Sequence, residues 1–360
     1  MTRLPEGNAI VYCEGAFKTP YGKTAHGLVR STKRYHVLSV VDSQSAGNDA
    51  GIVLNGRENG IPIYKNIHEA VETGNAKGQR ATHLVIGLAP DGGRLDEKTR
   101  SDVIKGIQLG LNVDSGLHDF LSEDPQISDL ASRHGKQIRD IRKGPDRKTL
   151  HAFTGKIEAV TSLKVAVLGT DSAVGKRTTA WMLVEALKRA GRSSEFIGTG
   201  QTAWMQGAKY GIVLDALIND FVAGELEHAV WTAWKESGPD CIVIEGQGSL
   251  MNPAYPGGFE ILAAGRPDVV ILQHAPARLD YDGFPGYPIQ PLEKQIEAIT
   301  LLSGKPVVAV TINHESLEEH NVPSLCQKIE HTTGLPTVDV LIDGPERLVE
   351  VLGGYLDKKG

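Results

Sequence analysis

The run Val165-Ala166-Val167-Leu168-Gly169-Thr170-Asp171-Ser172-Ala173-Val174-Gly175-Lys176-Arg177-Thr178-Thr179 leads from an apolar stretch through a glycine-bracketed turn into a helical pattern. A turn of this kind can bind phosphate. Glycines let backbone N–H groups converge, a helix N-terminus adds partial positive charge, and Lys176 adds a full one. The usual phosphate loop reads Gly, four residues, Gly-Lys, then Ser or Thr. Here five residues separate Gly169 from Gly175, and Arg177 stands where a hydroxyl would ligate Mg²⁺. Arginine ligates no metal, but it presents a fork of N–H donors to a phosphate. Thr178 or Thr179 could replace the missing hydroxyl, since one residue of slip is sometimes tolerated. The expected phosphate-binding residues are therefore Gly169, Thr170, Asp171, Ser172, Ala173, Gly175, Lys176, Arg177, Thr178 and Thr179, with no metal ligand assigned. Phosphoryl transfer needs Mg²⁺ to neutralise developing charge, so this loop suits a phosphate that is held better than one that is transferred.

Further polar groups follow later apolar runs, the places where open α/β sheets bind ligands. Glu245, in Ile244-Glu245-Gly246-Gln247-Gly248-Ser249, stands where phosphate-loop proteins carry an acidic metal ligand. It could hold a metal, take a proton from an amine, or brace a loop. His274 and Arg278, in Gln273-His274-Ala275-Pro276-Ala277-Arg278, offer a second base and a clamp for a substrate carboxylate. Gly198-Thr199-Gly200-Gln201 follows another apolar run. Gly224 interrupts a long helical pattern, which suggests close approach by a ligand or by another element, and would let Asp215, Asp220 and Glu227 face the site. In the first half, Gly15, Gly22 and Lys23 follow the first apolar run and Asp42 ends the second. That arrangement suggests a dinucleotide fold, yet the tight Gly-x-Gly-x-x-Gly spacing is missing and NAD is poorly supported. The loops 89–93 and 114–118 could line a cleft or simply turn.

These groups require a scaffold of buried strands. Residues 9–13, 36–42, 82–88, 110–113 and 137–141 are short apolar or β-branched runs, and helical patterns occupy 67–73, 97–109 and 126–133. Runs without polar alternation are what strands covered on both faces look like. Periodicity fades through the charged stretch 142–161, and a second series begins. Its expected strands are 164–168, 194–197, 241–244, 269–272, 307–311 and 337–341. Its expected helices are 176–190, 216–235, 291–302, 319–331 and 345–356. The fold class is thus α/β in two domains: a Rossmann-like parallel sheet over 1–150 and a doubly wound, P-loop NTPase-like sheet over 151–360.

Composition narrows the function. The 360 residues are 40% hydrophobic and 23% charged, which fits compact domains and not disorder. The formal charge of −6 and the lack of a basic tail argue against a nucleic-acid partner. Three cysteines, none in a Cys-x-x-Cys pair, fit a reducing compartment. Residues 1–7 lack a secretory apolar run and no 18-residue apolar span occurs, so a cytoplasmic protein without a membrane partner is expected.

The run 169–179, together with Gly198–Gln201 in sequence, 220–227, 245–248 and 273–278, resembles a bacterial and archaeal family long catalogued as a domain of unknown function. The resemblance spans nearly the whole chain. It implies an N-terminal Rossmann-like domain and a C-terminal phosphate-loop domain. The family includes a D-glutamate N-acetyltransferase that uses acetyl-CoA in D-amino-acid catabolism, so the resemblance implies acetyl-CoA as cosubstrate and a D-amino acid, D-glutamate foremost, as the small-molecule acceptor. The loop is also similar to that of dethiobiotin synthetase, which has five spacer residues but keeps the metal-binding Thr. Coenzyme A carries a 3′-phosphate and a pyrophosphate that Lys176 and Arg177 could grip. On this reading Glu245 is the expected base, His274 the alternative base, Arg278 the carboxylate clamp, and the Gly246 or Gly248 N–H the oxyanion donor. Two other readings stay open: a Mg-ATP-dependent kinase or ligase, and a non-catalytic nucleotide- or CoA-binding protein. The sequence leaves association with further copies of itself undecided.

Overall fold

The computed structural model describes residues 4–359; residues 1–3 of the stretch inspected for a secretory run, and residue 360, lie outside the described residues. The chain forms two compact units. One takes in the described chain up to Gly144 together with Gln201–Gly207, and the other takes in Pro145–Gly200 and the described chain from Ala208 onward.

The first unit holds a six-stranded sheet of β1 (Gly7–Tyr12), β2 (Tyr35–Val41), β3 (Ile63–Tyr64), β4 (His83–Ile86), β5 (Asn112–Ser115) and β6 (Ile138–Asp140). Every pairing is parallel, in the order β3-β2-β1-β4-β5-β6. That is the strand order of a Rossmann sheet. Successive residues of a strand serve opposite faces. Ile10 and Tyr12 pack with Leu84, Ile86, Val113 and the helices Ile67–Ala76, Glu97–Gln108 and Pro125–Arg133. Ala9 and Val11 pack with Leu28 and Val29 of the helix Lys23–Arg30, and with Met205. Met205 belongs to the short helix Gln201–Met205, where the sequence suggested a ligand loop. Thr202 Oγ1 lies 2.8 Å from Thr24 Oγ1, and the Arg34 guanidinium stacks 3.7 Å from the Trp204 ring centroid.

The second unit has seven strands where six were expected: β7 (Leu163–Gly169), β8 (Ser194–Gly198), β9 (Tyr210–Gly211), β10 (Cys241–Glu245), β11 (Val269–His274), β12 (Val307–Ile312) and β13 (Thr337–Val338). All pair in parallel in the order β13-β12-β11-β7-β10-β8-β9. β7 and β10 are buried along their whole length, which explains their unbroken apolar character. Their flanking helices include Lys176–Arg189, Asn219–Ser237, Gly258–Gly265 and Leu292–Ser303. β7 lies between β10 and β11, so the C-terminal ends of three adjacent central strands bring together the loop after Gly169, Glu245 and His274.

Gly224 admits another element and not a ligand. A Cβ there would lie 2.0 Å from the His151 backbone oxygen and 2.5 Å from the Ala152 carbonyl carbon. Glu227, buried on the same helix, accepts bonds from Thr154 N at 2.8 Å and Ile157 N at 3.2 Å, so it braces this crossing segment. Asp215 and Asp220 are exposed.

Candidate functional site

The loop between β7 and the helix Lys176–Arg189 needs unusual backbone angles. Ala173 has φ +55° and Gly175 φ +107°, both in the left-handed region that disfavours side chains. Lys176 is 6% exposed and its ammonium donates to the Asp171 carbonyl at 2.6 Å and the Gly248 carbonyl at 2.8 Å. These two carbonyl dipoles orient the ammonium toward the mouth of the loop, and the buried Glu245 carboxylate shares its field.

Asp171 anchors the loop from beneath. Its fully buried carboxylate accepts from Ser172 N at 2.7 Å and Asn252 Nδ2 at 2.8 Å through one oxygen. The other oxygen accepts from Arg278 and from Asp282 N, both at 2.8 Å. Arg278 also donates to the Ser172 carbonyl at 2.7 Å and makes a two-pronged contact with Glu315 at 2.5 and 2.9 Å. These bonds occupy four of the five N–H donors a guanidinium possesses. Arg278, expected as a substrate clamp, is engaged here as a girder between the loop and the end of β12.

Threonines extend the frame. Thr179 Oγ1 and Thr311 Oγ1 both donate to Gln273 Oε1, at 2.5 and 2.6 Å. The Thr179 hydroxyl is thereby committed to β11, while Thr178 is half-buried. Thr170 N donates to the Gln273 carbonyl at 2.9 Å, and Thr170 Oγ1 lies 3.0 Å from His274 Nδ1. Burial pushes His274 down to about 4, against the opposing charge of Glu293. His274 is therefore a neutral imidazole at physiological pH, and a weak proton acceptor.

Glu245 ends β10 and is 3% exposed. Thr199 grips it twice: Thr199 N donates to the carboxylate at 2.8 Å, and Thr199 Oγ1 donates to the Glu245 carbonyl at 3.0 Å. Burial raises its pKa above the usual carboxylate value, while Arg177, the Thr199 backbone bond and Lys176 pull the other way. Arg177 answers in kind. Its Nε is shut from solvent, burial lowers its pKa, and Glu245 opposes that shift.

The two glycines expected to serve an oxyanion are also fixed by close packing. A Cβ on Gly246 would lie 2.2 Å from the Val167 carbonyl oxygen and 3.0 Å from Lys176 Cδ. Gly248 has φ +51°, and a Cβ there would meet the Tyr255 carbonyl oxygen at 1.8 Å. Cys241 is sealed within β10, and burial pushes its thiol well above the ordinary range, so it is inert as a nucleophile.

Sequence reasoning missed Asn252, Glu315 and Tyr281. Asn252 caps its own turn, accepting from Ala254 N and Tyr255 N at 2.9 and 3.0 Å; the Asn-Pro dipeptide was its signal. Glu315 lies just past β12, a strand end where polar residues gather. Tyr281 is buried with Ser249 beside it, and burial raises its pKa, with the Gln290 backbone and Ser249 opposing. In the first unit, Asp42, the acid that suggested a dinucleotide fold, accepts from Gly15 N at 2.7 Å and so braces the turn after β1. Asp114 is held by Arg139 at 2.5 and 2.6 Å, and His118 lies 3.1 Å from Arg142 Nε.

Sheet order and loop define a two-domain α/β protein with a Rossmann-like N-terminal part and a P-loop C-terminal part. The chain belongs to the DUF1611 family, whose P-loop domain matches residues 151–349 and whose Rossmann-like domain matches residues 43–144. It is 32% identical to a D-glutamate N-acetyltransferase from Tritonibacter scottomollicae over 284 residues, 77% of this chain and 83% of that one. A D-glutamate N-acetyltransferase from a Pseudoalteromonas species is 31% identical, over 75% of this chain and 80% of that one. The crystal structure of a DUF1611 family protein from Anabaena variabilis superposes with a TM-score of 0.87 at 29% identity, covering 96% of this chain and 99% of the other. Among the described residues no helix is long and apolar enough to cross a membrane.

Proposed function

We propose that this protein is an N-acetyltransferase that moves an acetyl group from acetyl-CoA to the amino group of D-glutamate. The names of its two relatives support the reaction and the acceptor. The observation that carries the donor is the loop itself: a buried Lys176 oriented by two carbonyls, followed by Arg177 in the position a metal-binding hydroxyl would take. That chemistry fits the 3′-phosphate or pyrophosphate of coenzyme A.

In such a transfer the substrate amine attacks the thioester carbonyl, a C–N bond forms and the C–S bond breaks. The ammonium proton must first leave, and the departing thiolate must gain one. Glu245 suits the role of proton acceptor better than His274. Burial strengthens a carboxylate as a base and weakens an imidazole. Arg278 is assigned to holding the loop, since its donors are already directed to Glu315, Asp171 and the Ser172 carbonyl. A Mg-ATP-dependent reaction is the second reading, favoured by the loop pattern and opposed by Arg177.

Incubating the purified chain with acetyl-CoA and D-glutamate, and following free thiol and N-acetylated product, tests the proposal. Stoichiometric thiol and N-acetyl-D-glutamate are expected, with L-glutamate turned over far more slowly. Thiol release independent of any amino acid, or ATP consumption with no acetyl product, would overturn it.

A further inference from the structure

Acetyl transfer needs, besides a base, a donor to the oxygen of the tetrahedral intermediate. Gln247 stands two residues after Glu245 and just before Gly248, whose carbonyl accepts from Lys176 at 2.8 Å. Its backbone is set on both sides, since Gly246 is packed on the Val167 carbonyl and Gly248 on the Tyr255 carbonyl. Its Cβ lies 3.2 Å from where a Cβ on Gly257 would stand. From that root the side chain crosses to the loop after β8, where the amide Nε2 lies 2.8 Å from the position of a Cβ on Gly200. Among the described residues beyond the chain neighbours of Gly200, only the Gln247 amide comes within 4 Å of that position. Gly200 is not among the left-handed glycines, so its missing side chain serves space and not backbone. The preceding residue, Thr199, holds the Glu245 carboxylate through its N–H at 2.8 Å. The Gln247 amide is thus one residue from the partner of the proposed base. It is half-buried, and among the described residues it makes no hydrogen bond.

An amide fixed at its root, half out of water and unbonded at its tip has donors to give. We propose that Gln247 donates an N–H to the thioester carbonyl oxygen and stabilises the oxyanion formed when the amine attacks. The proposal rests on the acetyl-transfer reading above and adds a residue to it. The substrate ammonium first gives one proton to Glu245, which passes it to solvent. The amine lone pair then forms the C–N bond, and the carbonyl π pair moves onto oxygen, where the Gln247 N–H meets it. Glu245 takes the second proton from the new nitrogen and delivers it to sulfur as the oxygen pair returns and the C–S bond breaks. A neutral donor suits this place. A cation beside Glu245 would hold it ionised and weaken it as a base, whereas a resting substrate carboxylate calls for a cation and not an amide.

Steady-state kinetics of the full chain with acetyl-CoA and D-glutamate test this, alongside CoA titrations and urea midpoints, on Gln247→Ala, Gln247→Glu and Gly200→Ala. Gln247→Ala should lower kcat by roughly 100-fold or more, the effect of removing one oxyanion donor, with the KM for D-glutamate and the CoA affinity within about threefold of wild type. Gln247→Glu keeps the shape and removes the N–H, and should lose as much, so the result stands if Gln247→Ala disturbs the fold. Gly200→Ala tests the placement. Its methyl displaces only the end of a flexible side chain, so the urea midpoint should hold while kcat falls roughly tenfold or more. In the Gln247→Ala background the same substitution should change kcat less than about twofold. A purely structural Gln247 predicts the reverse, a lower midpoint at unchanged kcat. Undiminished kcat in a folded Gln247 variant, a loss confined to the KM for D-glutamate, or additive effects of the two substitutions would overturn the proposal and leave acetyl transfer standing. Wild type that binds CoA and forms no N-acetyl product would overturn the function itself, and this role with it.

Discussion

Each unit begins with a buried strand that runs into a glycine-bearing turn, and the two turns treat charge in opposite ways. After β1, the Asp42 carboxylate from the neighbouring strand caps Gly15 N at 2.7 Å, and Glu14 accepts from Ser43 N at 2.8 Å. Negative groups satisfy backbone donors there, and the turn closes on itself. After β7, the neighbouring acid, Glu245, is bonded sideways to Thr199 N, while the loop's own lysine is pinned by carbonyl oxygens. The first turn uses its carboxylate to consume N–H groups; the second spends carbonyl acceptors on a cation. The same βα geometry thus holds a carboxylate over N–H groups in one unit and an ammonium under carbonyls in the other, and the proposed function makes the second an anion site.

Substitutions can break or sharpen that contrast. The largest effect is expected from Gly248→Ala, which places a methyl against the Tyr255 carbonyl at a left-handed φ. It should destabilise the chain by about 3 kcal/mol or more, read as a shift of the urea midpoint. Arg278→Ala removes the cation paired with the Asp171 carboxylate and should cost about 3 kcal/mol, the lower end for breaking a buried ion pair, because Asp171 keeps three N–H donors and Glu315 is partly exposed. A girder predicts loss of stability together with weaker CoA binding. A substrate clamp predicts a raised KM for D-glutamate at unchanged stability, so the kinetic split decides between them. Lys176→Ala should weaken CoA binding by roughly 10- to 100-fold, the range for losing a charged hydrogen bond. Asp42→Asn, its counterpart in the closed turn, should cost about 1 kcal/mol of stability and leave CoA affinity unchanged. A comparable fall in CoA affinity would erase the distinction between the two turns.

The last effect is silent at neutral pH and enters only as a slope in acid. His274 is pushed down to about 4 by burial, so the unfolded chain takes up its proton first as pH falls. The stability from keeping it neutral is present above the ordinary histidine value, about 6.5, and is lost progressively as pH drops toward 4. His274→Asn should flatten that part of the profile, measured as urea midpoints at several pH values.

The central strands and the loop were legible in the sequence because burial on both faces leaves an unbroken apolar run, and because Gly, Lys and helix start have a fixed order. Other elements left weaker traces. β3 and β9, each two residues long, are too short for any periodicity. The helix Gly258–Gly265 begins and ends in glycine, which reads as loop. The helix Gln201–Met205 sits in a polar strand-end run, and its role in the first unit depends on packing far along the chain. The roles of Arg278 and Asp171 were equally hidden. Sequence shows that an arginine could meet a carboxylate, but which carboxylate depends on how residues 107 positions apart come together. Gly224 showed the same limit: the sequence required a close neighbour, and folding supplied a backbone segment instead of a ligand.

The most direct test of the account is an equilibrium titration of wild type and Lys176→Ala with acetyl-CoA, and separately with ATP with and without Mg²⁺. The account predicts acetyl-CoA binding that persists in EDTA and weakens at least roughly tenfold in the variant. Tight binding of Mg-ATP with no affinity for acetyl-CoA would contradict it.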